Sequence, residues 1–215
     1  MIKAVIFDLD GVIIDTAHYH YIAWKRLASE FGITLTPAHN ELLKGVSRMR
    51  SLEIILSLGN IKLPREQQEL LAEKKNNWFV EYIEAIRPEE IFPGVIELIR
   101  NLRKKNIKVG LASSSKNAPR VIELLGISSD FDTLVDGTMI VQTKPDPEIF
   151  LLAAHKLGIE PKYCLVFEDA EAGVEAALAA GMKCVGVGSV DQLGKANLVI
   201  PNTGDFNIND LNLKF

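Results

Sequence analysis

The stretch AVIFDLDGVIIDT, residues 4–16, places two acidic residues directly after an apolar run. The run KAVIF contains Val5 and Ile6 and shows no polar alternation, which is typical of a strand covered on both faces of a parallel sheet. Asp8 and Asp10 follow, with one leucine between them. Ligands of open parallel sheets bind beyond the carboxyl ends of the strands. The segment therefore predicts a buried first strand that carries two carboxylates to a functional edge.

Strand and helix patterns alternate from about Pro93 onward. Apolar residues at helical spacing, such as Val95, Leu98 and Leu102, indicate the helices between strands. Further strand candidates are 107–115, 132–137, 164–170, 183–188 and 197–201. This alternation predicts an α/β fold with a doubly wound, Rossmann-like parallel sheet.

Residues 16–91 show no convincing strand pattern. Asp15 or Thr16 is suited to cap a first amphipathic helix there, and two later stretches have the same helical texture. We therefore predict a catalytic α/β core domain made of residues 1–15 and 92–215. An α-helical domain, residues 16–91, is inserted directly after the first strand.

Composition narrows the possible partners. The chain has 215 residues, is 47% hydrophobic and has a formal net charge of -4, so it lacks the basic excess that nucleic-acid binding needs. No apolar stretch approaches the roughly 20 residues of a membrane helix, and the N-terminus does not resemble a signal peptide. We expect a soluble cytoplasmic monomer. Cys164 and Cys184 are expected to be buried free thiols, with a disulfide as the alternative.

Polar residues follow several of the predicted strands. Ser113 and Asn117 come after the second strand of the chain, Glu168 and Asp169 after a later one, and Lys144 lies in the loop TKPDP. Carboxylates gathered at one edge need a cation, and Mg²⁺ prefers hard oxygen ligands. Such a set predicts a phosphoryl-transfer site. The alternative is a set of unconnected turn aspartates, helix caps and a surface lysine.

Four segments occur in an order that resembles a known family. The segments are DLDGVIIDT, LASSSKN, TKPDPEIF and FEDAEAGVEAA, and they are similar to the motifs of the haloacid dehalogenase superfamily of phosphotransferases. The helical insertion resembles the small cap of that family. Within it, FDLDGVIIDTAHYHYIAWKRLA, LLKGVSR, EKKNN and VGVG resemble the sugar phosphomutases. The resemblance covers essentially the whole chain.

The resemblance implies a role for each matching residue. Asp8 matches the nucleophile and a metal ligand, and Asp10 the general acid/base, whose backbone carbonyl also meets the metal. Glu168 and Asp169 match the acidic metal motif. Residues matching phosphate or substrate contacts are Thr16, His20, Gly45, Val46, Ser47, Arg48, Lys75, Ser113, Ser115, Lys116, Asn117 and Lys144. Ala170 departs from the serine expected after Asp169, which affects the outer shell of the metal.

The implied reaction interconverts β-D-glucose 1-phosphate and glucose 6-phosphate through a hexose bisphosphate, with Mg²⁺ and an aspartyl phosphate. Because a free aspartic acid has a pKa of about 3.9, Asp10 needs desolvation to act as an acid near neutral pH. A sugar-phosphate phosphatase of the same superfamily is the alternative. A signalling receiver also uses an aspartate, Mg²⁺ and a lysine, but the large insertion and the position of Asp8 after the first strand disfavour it.

Overall fold

The computed structural model of the protein describes residues 1–43 and 46–212. Six parallel strands of these residues form one sheet in the order β3-β2-β1-β4-β5-β6. The strands are β1 Ala4–Phe7, β2 Lys108–Ala112, β3 Thr133–Val135, β4 Cys164–Glu168, β5 Lys183–Val187 and β6 Leu198–Ile200. Every predicted strand is present, and the predicted doubly wound α/β fold is confirmed.

The helices of the described residues lie between the strands in the sequence, and five of them lie between β1 and β2. They are α1 Ala17–Glu30, α2 Pro37–Glu41, α3 Arg48–Leu58, α4 Arg65–Ile83, α5 Val95–Lys104, α6 Ala118–Leu124, α7 Glu148–Leu157, α8 Glu171–Ala179 and α9 Val190–Leu193. Short 3-10 turns include Pro88–Glu90 and Ile208–Asn212. The helix α2 was not predicted.

Strand β1 lies in the middle of the sheet and fixes its register. Ala4 pairs with Lys108 of β2 on one side and with Cys164 of β4 on the other. Because all three strands run parallel, their carboxyl ends meet at one edge. Asp8 directly follows β1, and Glu168 is the last residue of β4. The sheet therefore brings these carboxylates to the same edge, as the sequence predicted.

Alternate residues of the strands pack against opposite layers. Ile6, Val166 and Cys184 face a core that includes Ile149 and Phe150 of α7. On β1 and β4, Phe7 and Phe167 stack with ring centroids 4.9 Å apart. Phe206 packs edge-on against Phe167 at 5.0 Å. Covering both faces explains why β1 is apolar at all of its residues, Ala4–Phe7.

The chain divides into two compact units. One, here called the α/β unit, consists of Met1–Asp15 and the chain from Arg87 onward; the other, the helical unit, is Thr16–Ile86. The sequence placed the second boundary between residues 91 and 92. Residues 87–91 belong to the α/β unit because Ile91 forms an antiparallel bridge with Ile14, and Phe92 N–H donates to the carbonyl of Ile13. Such pairing has no local sequence signal.

The helical unit has its own apolar core. Trp24 and Leu27 of α1 pack with Leu52 and Ile55 of α3 and with Ala72 of α4. Thr16 occupies the N-cap position of α1, but its side chain makes no capping hydrogen bond. Helix α2 begins with a capping box, in which His39 N–H donates to Thr36 Oγ1 and Thr36 N–H donates to His39 Nδ1, both at 3.3 Å.

Candidate active site

The turn after β1 orients its two aspartates. Asp8 N–H continues the ladder to the carbonyl of Phe167 at 2.9 Å. Asp10 N–H donates to Asp8 Oδ2 at 3.1 Å, so the backbone of the turn holds the first carboxylate. Gly11 then adopts a left-handed conformation with φ of +76°. Asp8 is buried, with 5% of its surface exposed.

Lys144 neutralises carboxylates from two strands. Its Nζ donates to Asp8 Oδ1 at 2.6 Å and to Glu168 Oε2 at 2.8 Å. The Lys144 side chain is 1% exposed, so this ion pair is desolvated. Burial acts to lower the pKa of Lys144, but the adjacent Asp8 and Glu168 outweigh it and raise that pKa above its usual value. Lys144 is therefore a fixed positive charge, and the alternative of a surface lysine is wrong.

Three carboxylates at this edge suit a hard cation. Oxygen atoms of Asp8, Glu168 and Asp169 all lie within 4.8 Å of one another. Asp169 occupies space that a side chain at Gly11 would fill, since an added Cβ would lie 2.1 Å from Asp169 Oδ2. A donor set of carboxylate oxygens fits Mg²⁺. The side chain of Asp10 is not part of this cluster.

Burial changes the acid strength of two carboxyl groups. It raises the pKa of Asp10 to about 8, with repulsion from Asp8 adding to the effect and attraction to Lys144 opposing it. Burial likewise raises the pKa of Glu168, against the opposing charge of Lys144. Asp10 is thus a carboxyl group that keeps its proton near neutral pH, which a general acid requires. The sequence suggested desolvation as the cause, and desolvation is the largest contribution.

The segment between β2 and α6 forms a loop held by its own serines. Ser113 N–H donates to the carbonyl of Val135 at 3.0 Å and joins the loop to β3. Ser113 Oγ accepts the N–H of Ser115 at 3.1 Å, and Ser115 Oγ accepts the N–H of Asn117 at 3.2 Å. Ser113 is buried and Lys116 is exposed. The loop therefore offers hydroxyl, ammonium and amide groups on a defined backbone.

In the helical unit, a buried lysine lies among aromatic rings. Lys75 of α4 is 2% exposed, and its Nζ lies 2.6 Å from His20 Nδ1. The same Nζ lies 4.6 Å from the ring centroid of Trp24 and 4.9 Å from that of Phe79. His20 stacks on Phe79 with centroids 3.9 Å apart. The alternative of a solvated Lys75 is therefore wrong.

Burial, followed by the charges of Lys75 and Arg48, lowers the pKa of His20 well below its ordinary value. A neutral imidazole can accept a hydrogen bond from the Lys75 ammonium at Nδ1. His20 is consequently an acceptor that fixes the ammonium of Lys75, and it does not supply a second positive charge.

Of the other predicted residues of the helical unit, Val46, Ser47 and Arg48 lie at the start of α3, and Thr16 lies at the N-cap of α1. Ser47 caps this helix by accepting the N–H of Arg50 at 3.2 Å. Arg48 donates to Asn76 Oδ1 at 2.8 Å, which fixes its guanidinium beside α4. Thr16 is buried, and its Oγ1 has no hydrogen-bond partner among the residues described. Val46 is half-buried. Gly45 lies outside the described residues.

The structure adds residues that the sequence interpretation did not select. Gly173 of α8 packs against Glu168, because an added Cβ would lie 2.0 Å from its Cδ. The glycine in FEDAEAG was the available signal. Phe79 was missed because its role depends on packing between two helices. It contacts Lys75 one turn earlier on α4 and also stacks on His20 of α1. Ala170 N–H donates to Glu168 Oε1 at 3.2 Å, so the backbone supplies one contact at the position where a serine was expected.

An open parallel sheet with Asp8, Lys144 and an acidic pair at its carboxyl edge defines an α/β protein of the phosphoryl-transfer class. A family model of haloacid dehalogenase-like hydrolases matches residues 2–181. The chain therefore belongs to the haloacid dehalogenase-like hydrolase family, as the resemblance of its motifs predicted.

Several known proteins are similar to this chain. The β-phosphoglucomutase of Bacillus subtilis is 46% identical over 209 residues, which cover 96% of this chain and 92% of that protein. A crystal structure of β-phosphoglucomutase from Clostridium difficile has a TM-score of 0.96 at 46% identity, and covers 100% of this chain and 97% of that one. A phosphorylated carbohydrates phosphatase of Thermotoga maritima is 35% identical, over 84% of this chain and 82% of its own length.

Two further features are the hydropathy of the helices and the state of the two cysteines. Among the residues described, no helix is both long enough and apolar enough to cross a membrane. Cys164 and Cys184 are free and buried, as predicted. Burial raises the pKa of the Cys164 thiol to about 11, so this thiol is protonated at neutral pH.

Proposed function

We propose that this chain catalyses the β-phosphoglucomutase reaction, the interconversion of β-D-glucose 1-phosphate and glucose 6-phosphate through β-glucose 1,6-bisphosphate. The observation that carries the proposal is the contact of buried Lys144 with Asp8, beside an Asp10 whose pKa is raised to about 8. The 46% identity to the Bacillus subtilis enzyme supports the same reaction and extends over 96% of the chain.

In the proposed cycle, Asp8 carries the transferring group. The phosphorylated Asp8 carboxylate is attacked by the 6-hydroxyl of β-glucose 1-phosphate, which breaks the acyl phosphate bond and forms the bisphosphate. The bisphosphate then binds in the reversed orientation. An Asp8 oxygen attacks its 1-phosphate, the sugar O1–P bond breaks, and glucose 6-phosphate leaves while Asp8 is phosphorylated again.

Asp10 moves the proton in both steps. It accepts the proton of the attacking 6-hydroxyl, and it later donates a proton to the departing O1 of the sugar. At pH 7 the unprotonated fraction of a carboxyl group with a pKa of about 8 starts the cycle as the base, and the proton that it accepts stays bound until it is donated to the sugar oxygen. Its backbone N–H also holds Asp8 Oδ2, which keeps the nucleophile in place.

Lys144 and Ser113 are proposed to hold the transferring phosphoryl group. Lys144 keeps its positive charge at the pH of the reaction and opposes the repulsion between Asp8 and an incoming phosphate. We assign Mg²⁺ to the cluster of Asp8, Glu168 and Asp169, together with the backbone carbonyl of Asp10. When bound, the ion supplies positive charge that lets carboxylate and phosphate oxygens approach each other.

A mutase also needs to bind the phosphate that is not being transferred. We assign this role to Ser115, Lys116 and Asn117 in the α/β unit. In the helical unit, Arg48 has the planar fork that binds phosphate in a bidentate manner. Contacts to the sugar phosphate are further assigned to Thr16, His20, Gly45, Val46, Ser47 and Lys75.

A sugar-phosphate phosphatase is the second candidate, favoured by the 35% identity to the Thermotoga maritima phosphatase. It would use Asp8, Asp10 and Lys144 in the same way but transfer the phosphoryl group to water. We propose that the mutase excludes water during the transfer. The buried free thiols agree with a reducing compartment, and we propose that the enzyme acts in the cytoplasm as a monomer.

The deciding experiment supplies α- and β-glucose 1-phosphate separately, with a trace of β-glucose 1,6-bisphosphate and Mg²⁺. Coupled detection of glucose 6-phosphate and of inorganic phosphate follows both products. The proposal expects glucose 6-phosphate from the β anomer alone. Release of inorganic phosphate as the main product would instead identify the phosphatase. The Asp8→Asn variant is the control for both activities.

A further inference from the structure

The segment that carries Lys144 is an exposed loop with one buried residue. Val141 and Gln142 are exposed, with Val141 at 85%, whereas Lys144 is 3% exposed. Two residues after Lys144, Asp146 N–H donates to the carbonyl of Thr143 at 3.1 Å. The loop ends where α7 begins at Glu148. The loop therefore needs an anchor on its exposed side if the lysine is to have one position.

Glu148 supplies that anchor through the backbone of the loop. Its Oε1 and Oε2 accept the N–H of Val141 at 3.0 and 3.1 Å, and its Oε2 accepts the N–H of Gln142 at 2.6 Å. Hydrogen bonds with a charged acceptor are about twice as strong as neutral ones. Glu148 N–H in turn donates to Asp146 Oδ1 at 2.9 Å. The first residue of α7 thus binds the loop on both sides of Lys144.

Lys144 is held at its far end by the core of the site. Its Nζ contacts Asp8 and Glu168 and lies 5.0 Å from the ring centroid of Phe150, which is also on α7. One end of the lysine is therefore set by the catalytic carboxylates, and the backbone end depends on the loop. A shift of about 1 Å in a positioned group costs on the order of 10²-fold in rate.

We propose that Glu148 is a positioning residue for the reaction, which fixes the backbone of the Lys144 loop and through it the ammonium beside Asp8. This inference rests on the proposed function, because it assigns to Lys144 the binding of the transferring phosphoryl group. Glu148 touches neither the substrate nor the reacting atoms. Glu148 therefore affects the rate of phosphoryl transfer and does not affect the binding of the sugar.

The test compares Glu148→Ala with a matched control. Glu97 also lies in the first turn of a helix, α5, and is exposed, so Glu97→Ala removes an equivalent charge near a helix N-terminus without touching the loop. We expect Glu148→Ala to lower kcat about 10- to 100-fold with little change in KM. Glu97→Ala is expected to match the wild type. Glu148→Gln keeps one oxygen that can accept both N–H groups at the position of Oε2, and it is expected to retain more of kcat than Glu148→Ala.

Two further measurements separate positioning from folding. Hydrogen exchange should accelerate at Val141 and Gln142 in Glu148→Ala and remain unchanged in Glu97→Ala. In a double-mutant cycle, Glu148→Ala should add little to the loss caused by Lys144→Ala, because the first residue acts through the second. Additive losses, or a kcat of Glu148→Ala within twofold of wild type, would overturn the assignment.

Phosphorylation of Asp8 by acetyl phosphate provides a readout that needs no sugar. If the wild type is labelled at Asp8 and Glu148→Ala is labelled equally fast, the inference about Glu148 is wrong although the aspartyl-phosphate step of the proposed function stands. If the wild type is not labelled at Asp8, the proposed function is wrong, and the assignment of Glu148 fails with it. Slow labelling of Glu148→Ala with normal labelling of Glu97→Ala supports the inference.

Discussion

The two units each bury a lysine, and they stabilise its charge by different means. Lys144 of the α/β unit contacts the carboxylates of Asp8 and Glu168. Lys75 of the helical unit contacts the imidazole of His20 and lies near the rings of Trp24 and Phe79. Carboxylates cancel the ammonium charge, whereas a neutral imidazole and aromatic faces solvate it without cancelling it. Carboxylates therefore contact the first ammonium, and an imidazole and aromatic faces contact the second.

The strongest test of this comparison replaces Lys144 with methionine, which keeps an unbranched side chain of similar length and removes the charge. We expect kcat to fall on the order of 10²–10³-fold, since the variant loses the ammonium that we propose to hold the transferring phosphoryl group. The two carboxylates left unpaired should also destabilise the fold by about 3–5 kcal/mol. Steady-state kinetics and urea denaturation measure the two effects. Unchanged kcat in a folded protein would contradict the role of Lys144.

The next test moves Glu168 while leaving both lysines in place. In Gly173→Ala, the new Cβ would lie 2.0 Å from the Glu168 Cδ, so the carboxylate has to leave its contact with Lys144. We expect kcat to fall by about 10-fold or more. The control is the same substitution in a Glu168→Ala background, where the added methyl group has room. A similar fractional loss of kcat in both backgrounds would show that Gly173 does not act through Glu168.

Lys75→Met sharpens the comparison from the other side. The methionine keeps an apolar chain between Trp24 and Phe79, so the helical unit should lose only about 1–2 kcal/mol, the size of a desolvated cation–π contact. Without the neighbouring ammonium, the pKa of His20 should rise, because the charge of Lys75 helps to hold it down. NMR titration of the imidazole measures this shift. An unchanged His20 titration would contradict the assigned contact.

The last test concerns proton binding, through the pH dependence of stability in the metal-free protein. The pKa of Asp10 is raised from 3.8 to about 8 in the fold, so the folded protein binds the proton more tightly than the unfolded chain. Its contribution to stability is complete below pH 3.8 and is lost as pH rises through 8. Asp10→Asn should therefore gain stability relative to wild type between these values, as measured by denaturation at several pH values. A constant difference between the two proteins would contradict the raised pKa.

Much of the sheet edge that carries Asp8 and Glu168 was predictable because short-range patterns specify it. The apolar run before Asp8 and the similar run before Glu168 predicted two buried parallel strands, and parallel strands bring their carboxyl ends together. Lys144 was placed by its motif. Its distances to Asp8 and Glu168 depend on three segments that are far apart in the chain, so no local pattern contains them.

The helical unit was less predictable. Helix α4 reads as largely polar around EKKNN, and only packing against Trp24 of α1 buries Lys75. Helix α2 has five residues, too few to show a helical period, and depends on the contact between Thr36 and His39. The boundary after Ile86 depends on the bridge between Ile14 and Ile91. The burial of Lys75 and the boundary depend on tertiary contacts, whereas α2 depends on a local contact between specific side chains; single-residue preferences encode none of these.

The central position of β1 also has a consequence for how the protein is made. Val5 pairs with Val109 on one side and with Leu165 on the other, so β1 has both neighbours only after these later residues have been synthesised. The ribosome will have released the contiguous segment 16–86 well before either partner emerges, and chains commonly fold in units during synthesis. The helical unit can thus close its own core early, while the strand that precedes Asp8 remains unpaired until most of the polypeptide has been translated.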